Sequence, residues 1–108
     1  MNQSEMEMIF LQMITASGSA KSYYMEALGE AKKGDYEQAQ ALISEGDKQA
    51  IEGHKVHSQL ISREAGGDSV GTSMILMHAE DQAMSAEIIK IMVEELIELY
   101  QKVDACSK

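Results

Sequence analysis

Apolar side chains recur every three to four residues along almost the whole chain, which is the period of an α-helix. No segment shows the sustained alternation of a strand. Over residues 4–32, Met6, Ile9, Met13, Ala16, Ala20 and Tyr23 share one stripe, with Phe10, Ile14, Tyr24 and Leu28 beside it. Over 36–64 the stripe is thinner and rich in small residues (Ala39, Gly46, Ala50, Gly53), so a neighbouring helix can approach closely. Proline is absent, so the punctuation must come from glycine. Lys32-Lys33-Gly34-Asp35 reads as a basic last turn, a C′ glycine and an N-cap aspartate, with Gln38 at capping-box distance. Ala65-Gly66-Gly67-Asp68-Ser69 is a second break ending in candidate caps. These signals predict an all-α chain of three helices, at about 4–32, 36–64 and 71–104.

The third helix carries more apolar surface than a lone bundle needs. At about 100° per residue, Glu80, Glu87, Glu94, Glu98 and Gln101 fall on one narrow strip, and apolar residues cover most of the remaining circumference. A core-facing helix needs an apolar arc of only about 100° or a little more. The surplus implies burial against something outside the chain, most economically a homo-oligomer whose axis the third helix lines.

Two polar residues interrupt that surface. His78 lies near the middle of the broad apolar face, and Asp81 lies toward one flank, aligned with Met74, Ile88, Met92 and Leu99. If that flank lines a symmetry axis, copies of Asp81 meet. Two carboxylates ~4 Å apart repel by about 4 kcal/mol at an effective dielectric near 20. Relief comes from a divalent cation with oxygen ligands, such as Mg²⁺ or Ca²⁺, or from shared protons. His78 has three readings: a satisfied core histidine, a metal ligand beside Asp81, or a nucleophile toward phosphorus.

Composition narrows the function. The 108 residues fit a single domain, and nine Lys+Arg against 18 Asp+Glu give a net charge of −9. That argues against nucleic acid and favours a partner with a basic surface. A lone cysteine, Cys106, cannot form an internal disulfide. The stretch from Met8 to Ala20 faintly resembles a secretory signal. However, two glutamates and no lysine or arginine precede it, and no apolar run approaches the ~18 residues of a membrane span. The expectation is a soluble cytoplasmic protein without direct membrane insertion. No Ser/His/Asp or Cys/His triad, phosphate-binding loop or zinc cluster is present. His54 and His57, three apart on the second helix, read as structural or surface residues.

Three blocks resemble the lactose/cellobiose-type enzyme IIA of the bacterial sugar phosphotransferase system. They are Ile14-Thr15-Ala16-Ser17-Gly18-Ser19-Ala20-Lys21-Ser22, the segment from Ala27-Leu28 to Gly34-Asp35-Tyr36, and Met77-His78-Ala79-Glu80-Asp81-Gln82-Ala83-Met84-Ser85. The resemblance spans essentially the whole chain. It implies one IIA domain over residues 1–108, an antiparallel three-helix bundle assembling as a homotrimer with the third helix near the threefold axis. It implies that His78 is the catalytic nucleophile, taking a phosphoryl group from the carrier protein HPr. The group would pass to a cysteine of the cognate IIB component, for uptake of a β-linked disaccharide (cellobiose, lactose or chitobiose) through the membrane IIC component. It also implies that Asp81 binds a divalent cation such as Mg²⁺ shared by three subunits. The chain departs from the family at Glu80, usually Gln, and at Gln82-Ala83, usually His-Leu. Glu80 is expected to be solvated, with some repulsion toward a phosphoryl group on His78. The family commonly has a histidine matching His54, which implies a local hydrogen bond there. The alternative class is a non-enzymatic trimeric helical adaptor with a structural metal at Asp81. A histidine-phosphotransfer domain fits less well, because such domains are four-helix bundles with a lysine soon after the histidine.

Overall fold

A computed structural model describes residues 2–107 as three long helices: α1 (Gln3–Lys32), α2 (Tyr36–Ala65) and α3 (Met74–Ser107). The first break forms as its sequence predicts. Gly34 takes φ +87°, a left-handed conformation that glycine adopts without a Cβ penalty. The Asp35 side chain accepts a hydrogen bond from the Gln38 amide at 3.1 Å. At the second break the helix starts later than the expected residue 71. Gly71 sits at φ +78°, and the Ser73 hydroxyl caps α3 by accepting from the Leu76 amide at 3.1 Å. At its far end α3 runs past the expected residue 104 to Ser107. The Tyr36 hydroxyl at the start of α2 donates to the Asp104 carboxylate and ties those last turns down.

The bundle is antiparallel in sequence order. At one end Phe10 and Met13 of α1 pack with Leu60, late in α2, and Ala79, early in α3. At the other end Leu28 and Ala31 meet Ala39 and Ile43, early in α2, and Val93 and Ile97, late in α3. The molecule is therefore a rod of 59 × 20 × 18 Å. Its cross-section is about two helix diameters, so every helix keeps a solvent face.

Small side chains set the helix spacing, as the thin second stripe predicts. Ala20, Ala27, Ala39 and Ala79 are fully buried. Gly46 admits the ring of Tyr24, which is 1% exposed. The aromatic anchor of α1 is thus Tyr24, from beside the predicted stripe; Tyr23 is only half-buried. The difference arises because the Tyr24 hydroxyl reaches the Asp47 carboxylate of α2 at 2.8 Å.

α1 packs along both other helices, whereas α2 and α3 touch each other little. The buried face of α3 toward α1 is Ala79, Ala86, Val93 and Ile97. A second apolar face stays open: Met77, Met84, Ile88, Met92 and Leu99 are each more than half exposed. The surplus inferred from the sequence is real surface on this protomer. No described helix is long and apolar enough to cross a membrane.

Candidate functional site

His78 and Asp81 lie in the second turn of α3, and both are exposed in the protomer. Asp81 falls in the middle of the open strip, between Met77, Ile88 and Met92 on the helix surface. The broad apolar face of the sequence is in fact two faces, one against α1 and one open. His78 lies between them, toward α1. Both residues sit on a rigid, proline-free helix, which fixes their direction better than a loop does.

The next turn links the site to α1. Gln82, four residues after His78, accepts a hydrogen bond at its side-chain oxygen from Nζ of Lys21. Sequence marks Gln82 only as a departure from the family and Lys21 only as part of a resembling block, and joins neither to the other. The register between two helices some sixty residues apart in sequence supplies that contact, and no local motif encodes it.

Glu80 behaves differently from expectation. It is half-buried, and its carboxylate lies 2.7 Å from Nε2 of His57 on α2. Two residues along a helix turn its direction by about 200°, so Glu80 faces α2 and points away from His78. The expected repulsion of a phosphoryl group by Glu80 is correspondingly weak. His54 Nε2 lies 3.2 Å from the Glu87 carboxylate of α3, an ion-pair contact between helices where a local hydrogen bond was expected. Lys90 and Tyr24 share Asp47, at 2.9 and 2.8 Å. The contacts of His57 with Glu80, His54 with Glu87 and Asp47 with Lys90 stitch α2 to α3 across a groove of ≈ 540 Å³, and Tyr24 ties α1 to the same aspartate. The Tyr24 hydroxyl is held well above its ordinary pKa, first by burial and then by the bond to Asp47, because ionisation would set phenolate against carboxylate.

Within one chain, no cluster of three or more His, Cys, Asp or Glu residues gathers to hold a metal among the described residues. Asp81 makes no ion pair or side-chain hydrogen bond there. An exposed, unshared carboxylate is an oxygen donor that suits a hard divalent cation when copies of it converge.

Comparison with known proteins gives this geometry its context. The family model for the lactose/cellobiose-specific IIA subunit of the phosphotransferase system matches residues 8–101. The lichenan-specific phosphotransferase enzyme IIA component of Bacillus subtilis is 38% identical over 92% of this chain and 90% of its own. The crystal structure of the cellobiose-specific enzyme IIA from Bacillus anthracis superposes with a TM-score of 0.91 at 36% identity, covering 97% of this chain and 94% of that one. The IIA of the Escherichia coli N,N'-diacetylchitobiose branch, solved in solution in complex with HPr, gives 0.81 at 32% identity, covering 92% and 96%. On this evidence the chain belongs to the lactose/cellobiose-specific IIA family of the phosphotransferase system.

Proposed function

We propose that His78 is the residue that carries the phosphoryl group of this phosphotransferase IIA component. The observation that carries the reading is an exposed imidazole on a helix, which among the described residues has no carboxylate partner at its ring nitrogens. The other two histidines are both engaged by glutamates. In the reaction, the lone pair of the unprotonated ring nitrogen of His78 attacks phosphorus on the donor's phosphohistidine. The new N–P bond forms as the donor's N–P bond breaks, the electron pair returns to the donor imidazole, and no net proton moves. A thiolate of the next carrier then attacks the same phosphorus and releases His78. The chain contributes position and an apolar surround that disfavours water.

The donor in this reading is HPr, as in the complex formed by the chitobiose relative, and the acceptor is a cysteine of a IIB component paired with a membrane IIC transporter. The sugar is a β-linked disaccharide, the class to which cellobiose, lactose and chitobiose belong. The protein acts in the cytoplasm. The open strip of α3 supports a homotrimer about a threefold axis, with Asp81 of each subunit facing the axis and a shared divalent cation, Mg²⁺ in the simplest case, offsetting their repulsion.

The test combines the protein with HPr, its phosphorylating enzyme and phosphoenolpyruvate. The expected result is an acid-labile mass gain of one phosphoryl group that His78→Ala abolishes. Absence of labelling with partners that phosphorylate a related IIA would overturn the assignment.

A further inference from the structure

We propose that Lys21 is the residue whose positive charge compensates the phosphoryl group on His78, and that Gln82 holds its ammonium beside that site until the group arrives. The inference rests on the phosphocarrier reading of His78.

The case starts from charge. Lys33, Lys48, Lys55, Lys90 and Lys102 each pair with a carboxylate. Lys21 does not; it is half-buried, and its bond goes to the neutral amide of Gln82. A partly buried ammonium set against a neutral acceptor keeps its charge unanswered. Its location gives the reason. Gln82 follows His78 by four residues, so the two occupy adjacent turns on one side of α3, with Cβ atoms about 5–6 Å apart. A lysine head on a flexible four-carbon stem can leave an amide for a nearby dianion without backbone movement. Gly18, three residues before Lys21 on the same side of α1, leaves open space: a Cβ added there would meet nothing within 4 Å.

The demand for such a charge is plain. Phosphorylation adds roughly −1.5 to −2 charges to a chain already at −9, beside the carboxylate of Asp81. Two other charged groups of α3, Glu80 in the same turn and Lys90 about three turns further on, are committed elsewhere. Glu80 is turned toward His57, and Lys90 is held by Asp47. Lys21 makes no bond to phosphorus and stays protonated; the transfer remains the exchange of N–P bonds between two imidazoles. Its ammonium lowers the free energy of the phosphorylated form through charge-assisted hydrogen bonds to the phosphoryl oxygens. Lys21 is in this sense a positioning and charge-compensating residue.

The experiment measures the equilibrium of phosphoryl exchange between phospho-HPr and this protein, reading the phosphorylated fraction of each by mass. Lys21→Met keeps the apolar stem and removes the charge. The expected shift is about tenfold toward phospho-HPr, the scale of one partly exposed charge-assisted hydrogen bond. Lys21→Arg should stay within about twofold of the parent, since it restores charge and donors. The parent equilibrium should also shift toward phospho-HPr as salt rises, and Lys21→Met should flatten that dependence. A merely structural lysine would lower the melting temperature in Lys21→Met and leave the equilibrium and its salt dependence unmoved. That outcome, with His78 still phosphorylated, overturns this inference alone. A parent protein that takes no phosphoryl group at His78 overturns the carrier reading, and this inference with it.

Discussion

Alanine in place of Gly46 should destabilise the protein, although helix propensity alone predicts the opposite. Gly46 lies inside α2, where Gly→Ala normally gains up to about 1 kcal/mol. Its added Cβ would stand 2.5 Å from Cε1 and 2.8 Å from Cδ1 of Tyr24. That ring is 1% exposed, and its hydroxyl is anchored on Asp47 at 2.8 Å, so it has little room to yield. Overpacking of this kind costs about 1–3 kcal/mol, and loosening a hydrogen bond to a charged group adds roughly 1 kcal/mol or more. The net expectation is a loss of about 2 kcal/mol, or a fall on the order of 10 °C in melting temperature. Gly29→Ala is the control: it is also inside a helix, a Cβ there meets nothing within 4 Å, and it should be neutral or stabilising. The assay is urea unfolding followed by circular dichroism at one fixed protomer concentration, with Tyr24→Leu completing a double-mutant cycle. The clash predicts that Gly46→Ala costs much less in the Tyr24→Leu background. If Gly46→Ala and Gly29→Ala shift stability equally, or the cycle shows no coupling, the close approach of ring and helix is not what holds this part of the bundle.

Two further expectations concern charge. A chelator should lower the melting temperature of the assembled protein, while Asp81→Leu should remove that sensitivity and preserve assembly in analytical ultracentrifugation; dissociation of Asp81→Leu would show that the residue has been misplaced. Tyr36 has its pKa raised from 10.0 to about 12, first by its hydrogen bond to Asp104. The folded state holds that proton more tightly, so the contribution of the bond to stability is complete below about pH 10 and is lost as pH rises through about 12. Tyr36→Phe should therefore flatten the loss of stability in that window and delete the late part of the phenolate absorbance titration; an unchanged profile would remove the bond from the account.

The helices and the first break were legible because their signals are local: a 3.6-residue period, a glycine at positive φ, and an aspartate three residues before the amide it caps. The start of α3 was less so, since Asp68, Ser69, Thr72 and Ser73 all suit an N-cap and only the backbone around Gly71 selects Ser73. A helical wheel placed His78 and Asp81 on the apolar circumference of α3 but could not separate the arc that meets α1 from the arc left open. The contacts of Glu80 with His57 and of Lys21 with Gln82 depend on how distant helices slide past one another. Alanines in the buried seams set that register, and their pattern alone does not specify it.

The order of the helices has a consequence for how the protein comes into being. α1 and α2 are joined by three residues, so they can pair as soon as both exist. α3 begins at the same end of the rod as α1 and meets it only after the chain has run the length of α2, with partners such as Lys21 and Gln82 separated by 61 positions. Because closing a short connection costs less chain entropy than closing a long one, the α1–α2 hairpin forms early and α3 docks last. The helix that carries His78 is thus the last of the three to seat. Until it seats, neither the imidazole of His78 nor the ammonium of Lys21 opposite Gln82 has a fixed position, so the geometry of this site arises only with the completed fold.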